Sequence, residues 1–228
     1  MNQELWNESF AICRLTIYNL KMVITWYGKN CFKLQSGDLV VVTDPFEKES
    51  NLSPFRGRAD IIIRTIAQTS SDKRQATSGG DAFEVSYPGE YEIKNVFIKG
   101  WPLPISNLKS QISNLRSVYS IEVDELKIVL LGHITDENEI KDIQEYLEDA
   151  DIVFIPAAGK PFIEEAAAAK LIRQLKPSLV IPTLFENFKD IKSFFRELGQ
   201  NGVEPQEKLT IGKKDLSKEK LTIGCLKI

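Results

Sequence analysis

Three short runs of β-favouring residues fall within residues 22–46, and they constrain the fold more than any other part of the chain. Residues 23–27 form the first apolar run, and residues 31–34 form the second, which ends at a Ser-Gly-Asp turn. The third run, Leu39–Thr43, is almost entirely β-branched and stops at an Asp-Pro step. This spacing predicts three consecutive strands joined by tight turns.

The third strand predicts a first candidate site residue. An apolar strand such as Leu39–Thr43 is typical of a sheet that is buried on both faces. Because α/β proteins often place functional groups at the C-terminal ends of such strands, Asp44 is a candidate. The alternative is that Asp44 only caps the turn before Pro45, and the local sequence by itself favours that alternative.

Composition narrows the class of protein. A chain of 228 residues fits a single α/β domain, and a net charge of −3 predicts neither a nucleic-acid nor a membrane partner. Cys13, Cys31 and Cys225 lack the close spacing of a disulfide framework or a cysteine-based zinc site, which indicates a reducing, cytoplasmic compartment. No apolar run approaches about 18 residues, so no membrane-spanning helix is predicted. The sequence leaves a homo-oligomer open.

The first 21 residues are predicted to lie outside the core. Glu4 and Glu8 occupy the region where a secretion signal carries positive charge. We expect residues 1–21 to be an extension, with Met22 as the natural start or a loosely held arm before it. Residues 22–228 are then one domain. The alternative is a genuine extra strand within residues 12–18.

The order of the remaining elements predicts the fold class. Strands are predicted first, at residues 59–63, 83–85, 91–99, 118–123 and 127–131. Strands and helices then alternate: helices at 140–147, 163–175 and 188–198, strands at 151–155 and 179–181, and a closing hairpin from two Leu-Thr-Ile-Gly strings at 209–212 and 221–224. This order predicts a four-layer αββα sandwich of the α+β or α/β class, with a doubly wound sheet as the alternative.

Three strings carry a resemblance to a known family. Residues 24–32 read Ile-Thr-Trp-Tyr-Gly-Lys-Asn-Cys-Phe, residues 41–46 read Val-Val-Thr-Asp-Pro-Phe, and residues 88–91 read Pro-Gly-Glu-Tyr. They resemble the metallo-β-lactamase fold hydrolases, in particular a stand-alone bacterial and archaeal branch of zinc-dependent hydrolases. The resemblance covers about residues 22–221 and implies the same sandwich fold. Where that branch has His and Ser in the first turn, this chain has Lys29 and Asn30.

The resemblance also locates the family's metal-ligand positions. Its motif His-x-His-x-Asp-His, its bridging Asp and its last His fall on Ile66, Gln68, Ser70, Ser71, His133 and Leu184. His133 is the only histidine in the chain, whereas a catalytic zinc normally has three protein ligands. Ile66 and Leu184 would fill a metal pocket with hydrocarbon, and burial of each contributes about 1.5–3 kcal/mol. The overlay therefore predicts no metal site and no cofactor.

Other catalytic and binding patterns are absent from the sequence. It contains no glycine-rich phosphate loop and no Gly-x-Ser-x-Gly string to mark a serine partner for His133. Trp6, Trp26 and Trp101 are expected in the core or in a lid. A seven-residue repeat within residues 105–117 is interpreted as a duplication in a loop, because loops tolerate insertion.

Two functional hypotheses follow from these residues. The preferred one is a degenerate, metal-free member of the family with a non-catalytic binding or structural role. The alternative is a hydrolase of a small ester, lactone or phosphodiester that uses Asp44, His133 and Lys29 without two metals. Metal analysis and a hydrolase screen distinguish the two.

Overall fold

The computed structural model describes residues 20–46, 52–67, 82–104 and 115–228. Within these ranges it forms two packed β-sheets with few helices, so the predicted sandwich class is confirmed and the single doubly wound sheet is excluded. Residues 1–19 of the N-terminal extension, residues 105–114 of the repeat and three ligand positions (Gln68, Ser70 and Ser71) lie outside the described residues. No helix in the described part of the chain is long and apolar enough to cross a membrane.

The first sheet contains the three strands predicted from residues 22–46. Its six strands are β1 (Met22–Gly28), β2 (Cys31–Ser36), β3 (Leu39–Thr43), β4 (Ile61–Ile63), β5 (Phe83–Val85) and β12 (Lys208–Ile211). They are arranged in the order β12-β1-β2-β3-β4-β5. β3, β4 and β5 run parallel, whereas β12, β1, β2 and β3 are antiparallel neighbours.

The second sheet is built from the later part of the chain. Its seven strands are β6 (Gly89–Ile93), β7 (Val96–Pro102), β8 (Ser117–Val123), β9 (Leu126–Leu130), β10 (Ile152–Pro156), β11 (Leu179–Thr183) and β13 (Thr222–Ile223). They are arranged in the order β13-β11-β10-β9-β8-β7-β6. β9, β10, β11 and β13 run parallel, which places their C-terminal ends at one edge of the sheet.

The main core lies between the two sheets. Ile24 and Leu34 of the first sheet belong to one buried cluster with Ile121 and Ile128 of the second. The rings of Phe32 and Phe154 meet edge to face across the interface, with centroids 4.8 Å apart. Because inward-facing apolar residues alternate along these strands, burying them fixes the register of both sheets.

Each of the three predicted helices comes directly after a strand of the second sheet in the sequence, as the alternating pattern predicts. The longest is Glu165–Leu175, which buries Ala168, Leu171 and Ile172 and connects two parallel strands. The other two predicted helices each begin with a 3-10 segment: Glu137–Ile143 precedes Gln144–Leu147, and Phe188–Ile191 precedes Lys192–Glu197. On the first sheet, the outward-facing Cys31, Val42 and Ile62 are covered by a described loop segment that contributes Phe55 and Ala59.

Two predictions of local structure are wrong. The two Leu-Thr-Ile-Gly strings do not form a hairpin, because β12 joins the first sheet and β13 joins the second. Residues 91–99 are not one strand, since left-handed residues Lys94 and Asn95 turn the chain between β6 and β7. The first error arose because the two strings find different partner strands in the tertiary fold, which local periodicity does not encode. The second arose because a two-residue turn divides the stretch into a local hairpin of β6 with β7.

Candidate functional site

The candidate site begins where two parallel strands end. In the register of β3 and β4, Thr43 lies opposite Ile63, and the amide of Asp44 donates a hydrogen bond of 2.8 Å to the carbonyl of Ile63. Asp44 and Thr65 therefore emerge side by side at the same edge of the sheet. This is the position at which α/β sheets commonly hold functional groups.

Three hydrogen-bond donors occupy the Asp44 carboxylate. The Thr65 amide donates to Oδ1 at 2.7 Å, and the Thr65 hydroxyl donates to Oδ2 at 2.5 Å. The side-chain amide of Asn30 also donates to Oδ2, at 2.5 Å. Both carboxylate oxygens are thus bound by the protein itself, and two of the donor side chains, Asn30 and Thr65, are buried.

His133 joins this network through the Thr65 hydroxyl. Nδ1 of His133 lies 2.9 Å from Oγ1 of Thr65. Because that hydroxyl gives its only hydrogen to Asp44, Nδ1 must donate, and the lone pair of the neutral ring is on Nε2. Burial lowers the pKa of His133, the Asp44 charge opposes the shift, and the charges of Arg116 and Lys29 add to it. The imidazole is therefore neutral near pH 7.

A glycine and an ion pair hold the His133 loop in place. Gly132 has φ +59°, and a Cβ added there would lie 2.6 Å from Cβ of Thr65. This close approach brings His133 within reach of Thr65. Arg116 donates to the His133 carbonyl at 2.8 Å and forms a two-pronged pair with Glu139, at 2.7 and 3.1 Å.

The β1–β2 turn contacts the loop after β11. The carbonyl of Lys29 accepts hydrogen bonds from the Leu184 amide at 3.2 Å and from the Trp26 indole at 3.1 Å. Lys29, Asp44 and Leu184 all adopt left-handed conformations, with φ +53°, +36° and +56°. Such conformations are costly outside glycine and concentrate at functional sites. The ammonium of Lys29 lies 5.9 Å from the ring centroid of Phe46.

The structure brings most of the predicted residues together. Asp44 and His133 are joined through Thr65, and Lys29 is joined to Leu184. Ile66 is half-buried and forms an isolated bridge with Arg116.

The geometry does not match a nucleophilic triad. In a triad the carboxylate holds the imidazole and the imidazole activates an accessible hydroxyl. Here Asp44 binds the hydroxyl of Thr65 instead of the imidazole, and Thr65 has no solvent-exposed surface. Thr65 is therefore a structural link between the carboxylate and the ring.

The donor set does not fit a catalytic zinc ion. Among the described residues, no three His, Cys, Asp or Glu side chains are grouped where they could hold a metal. Asp44 and His133 supply two ligand side chains, and both carboxylate oxygens of Asp44 already accept hydrogen bonds from the protein. The nearby Cys31 thiol is fully buried, and its pKa is raised by that burial and by the Asp44 charge, with Arg64 opposing. It is not poised to act as a thiolate ligand.

Sequence reasoning did not assign roles to Thr65, Asn30 and Arg116. The first two follow apolar strands and could have been predicted as donors to Asp44, since a carboxylate at a buried strand end needs partners. Arg116 lies within the second unit of the repeat and gives no local signal. Only the tertiary fold brings it to the His133 carbonyl.

Sequence comparison identifies a family. A family model described as a Beta-lactamase superfamily domain matches residues 23–184. The matched region includes Lys29, Asp44, His133 and Leu184. No curated protein matches the chain in sequence.

Solved structures share the fold at low sequence identity. A proposed Zn-dependent hydrolase of the metallo-β-lactamase superfamily from Thermotoga maritima has a TM-score of 0.64 and 20% identity, covering 90% of this chain and 100% of that chain. A proposed metal-dependent hydrolase from Parabacteroides distasonis has a TM-score of 0.61 and 18% identity, covering 91% and 94%. Igni18, a metallo hydrolase from Ignicoccus hospitalis, has a TM-score of 0.58 and 14% identity, covering 84% and 99%.

Proposed function

Because this chain belongs to the β-lactamase superfamily, a family of metallo-β-lactamase-fold hydrolases, we propose that it is a member without a catalytic metal. Its role is that of a non-catalytic binding or structural protein. Asp44, Thr65 and His133 serve as a scaffold in which protein hydrogen bonds occupy the carboxylate. The proposal requires no cofactor.

The observation that carries this proposal is the hydrogen bonding of both Asp44 carboxylate oxygens to the protein itself. The two oxygens accept hydrogen bonds from the Thr65 amide, the Thr65 hydroxyl and Asn30. Because Oδ2 already accepts two hydrogen bonds, a metal that binds this oxygen would displace a buried donor, and that donor would lose its partner. Leaving a buried polar group without a partner costs about 1–3 kcal/mol.

The apolar residues at two ligand positions support the same proposal. Leu184 and Ile66 are half-buried beside the network, and neither offers a lone pair to a cation. The Leu184 amide is already bound to the Lys29 carbonyl. Hydrogen bonding to surrounding groups tunes a metal site, but it does not replace ligands that contact the metal.

Elemental analysis tests this proposal directly. The protein is expressed in zinc-supplemented medium and dialysed exhaustively, and bound zinc, manganese and iron are measured. We expect well under one equivalent per chain, and the same amount in Asp44→Asn as a matched control. One or more retained equivalents, lost on chelation together with an enzymatic activity, would contradict it.

One observation favours hydrolysis without metals as the second candidate. His133 is neutral, with its Nδ1 proton held by Thr65, so Nε2 can accept a proton from an attacking water. The Lys29 charge lies close enough to lower the His133 pKa and would stabilise a developing oxyanion. Small esters, lactones and phosphodiesters are the substrate classes that the fold suggests.

A variant pair separates the two candidates. If the second is correct, a hydrolase screen detects turnover that His133→Ala and Lys29→Met each reduce by two orders of magnitude or more. Chelator leaves that turnover unchanged. If the first is correct, no substrate in these classes is turned over above the rate of the buffer.

A further inference from the structure

A solvent-exposed aromatic groove lies on the outer face of the second sheet. Phe97 of β7 and Tyr146 of the helix Gln144–Leu147 are each about half exposed, at 51% and 50%. The ring of Trp101 stacks on Tyr146 with centroids 6.0 Å apart. These side chains line a groove of about 330 Å³.

Two carboxylates flank the exposed ring of Phe97. In the strand register, Glu92 of β6 lies directly opposite Phe97, and Glu122 of β8 lies opposite it on the other side. Side chains of directly opposed residues begin about 5 Å apart. Both glutamates are exposed, and neither forms a hydrogen bond or ion pair with the described residues. The arrangement leaves an aromatic surface with a negative charge on each side.

The same groove already holds a cation of the protein. The Lys99 ammonium lies 5.6 Å from the Trp101 ring centroid and 5.5 Å from that of Tyr146. It also pairs with Glu90 at 2.7 Å. Cations are attracted to aromatic faces at such distances, so the groove has the chemistry to bind ammonium or guanidinium groups.

The charge balance of the groove leaves room for a further cation. Lys99 is engaged by Glu90, and the other lysine of the groove, Lys127, donates its Nζ to the Glu148 carbonyl at 2.7 Å. Lys127 also lies directly opposite Glu122 in the register of β8 and β9. The three glutamates Glu90, Glu92 and Glu122 thus face two lysines, so one net negative charge remains, and Glu92 has no ion-pair partner among the described residues. We call Glu90, Glu92, Phe97, Trp101, Glu122 and Tyr146 the acidic–aromatic face.

We propose that the acidic–aromatic face docks an arginine- or lysine-bearing segment of a partner protein. A guanidinium stacked on Phe97 lies between Glu92 and Glu122 and can bind both. Tyr, Trp and Phe supply the anchors that dominate protein interfaces. The proposal concerns a different surface from the site at Asp44 and stands whether or not that site is catalytic.

Other occupants fit the face less well. A second copy pairing through the edge strand β6 would bring Glu90 and Glu92 against the same acidic strand of its partner. Nucleic acid and anionic lipid would meet carboxylates of like charge. A positively charged peptide meets attractive charges and apolar contact together.

A binding titration with matched variants tests the proposal. Anisotropy of fluorescein-labelled nona-arginine is measured with the full chain at low ionic strength, with labelled nona-glutamate as the charge control. Glu92→Gln with Glu122→Gln should weaken nona-arginine binding about fivefold or more. The control pair Glu204→Gln with Glu207→Gln makes the same charge change near β12, which is an edge strand of the first sheet. This control should change binding less than twofold.

Removing the positive charge of Lys99 should have the opposite effect on nona-arginine binding. Lys99→Met frees Glu90 and the Trp101–Tyr146 pair, so binding of nona-arginine should strengthen severalfold. The control Lys208→Met makes the same charge change at an exposed lysine on β12 and should have a smaller effect.

Three outcomes would overturn the proposal. The first is that the two double glutamate variants weaken nona-arginine binding equally, which would show that only net charge matters. The second is a Lys99→Met variant that gains no more than Lys208→Met. The third is full displacement of the peptide by spermidine with the same dependence on Glu92 and Glu122, which would identify a small polycation as the ligand. Unchanged thermal melting shows that each variant is folded.

Discussion

The hydroxyl of Thr65 donates a hydrogen bond of 2.5 Å to Oδ2 of Asp44, while the amide of the same residue binds Oδ1 at 2.7 Å. One residue thus occupies both oxygens of the carboxylate that follows the third strand. The same hydroxyl accepts a hydrogen bond from Nδ1 of His133. Thr65 therefore connects the ends of β3, β4 and β9, and the site is locked by protein contacts.

The first prediction concerns this link. Thr65→Val keeps the side-chain volume but removes the hydroxyl, so His133 Nδ1 and Asp44 Oδ2 each lose a partner in a buried setting. We expect the free energy of unfolding to fall by about 1–3 kcal/mol, measured by urea denaturation. Thr65→Ser retains the hydroxyl and should restore most of the loss. Equal stability of Thr65→Val and the natural protein would show that the network adds nothing.

The second prediction concerns metal removal. A ligand that binds only the folded state raises stability by mass action. Because the donors described at Asp44 and His133 do not fit zinc, we expect the same melting temperature with and without a strong chelator. Added zinc should give no saturable rise. A chelator-induced drop of several degrees, restored by stoichiometric zinc, would contradict this expectation.

The third prediction concerns stability in acid. The pKa of Asp60 is lowered to about 2, chiefly by its hydrogen bond to Lys94, with burial opposing and the Val40 amide and Arg58 adding to the lowering. Because the folded pKa lies below the ordinary value of 3.8, the carboxylate stabilises the fold above about pH 4. That contribution, about 1–2 kcal/mol, is lost as the pH falls from about 4 to 2.

Asp60→Asn provides the measurement for this prediction. The variant should be less stable than the natural protein at pH 7 and should approach it near pH 2, when stability is followed by urea denaturation. Asp38→Asn, at an exposed residue of the β2–β3 turn, serves as the matched control. A constant difference between the Asp60 variant and the natural protein across this pH range would mean that the charge is unimportant.

The fourth prediction concerns the N-terminal extension. β1 begins at Met22, and the preceding residue, Lys21, forms an ion pair with Asp215 at 3.3 Å in which both side chains are well exposed. Exposed pairs contribute about 0–1 kcal/mol. Deleting residues 1–21 should therefore change the melting temperature by at most a few degrees. A larger drop would show that the extension packs as a strand.

The local sequence was sufficient for much of the fold. The β-branched run Leu39–Thr43 and the turns around it predict β1, β2 and β3, because side-chain shape and turn chemistry act between near neighbours. The Asp-Pro step likewise places Asp44 at a strand end. The family resemblance, carried by short strings around these same strands, predicted the sandwich and the positions of His133 and Leu184.

Only the tertiary structure determined the partners of these residues. The two Leu-Thr-Ile-Gly strings are identical locally, yet one joins each sheet, because strand pairing depends on which edge is available. Asp44 binds Thr65 across a separation of 21 residues, and Thr65 binds His133 across a separation of 68 residues. The sequence by itself determines which donors and acceptors exist and where the strands end. Long-range packing determines which of them meet, since a partly buried carboxylate must be satisfied by whatever the fold brings beside it.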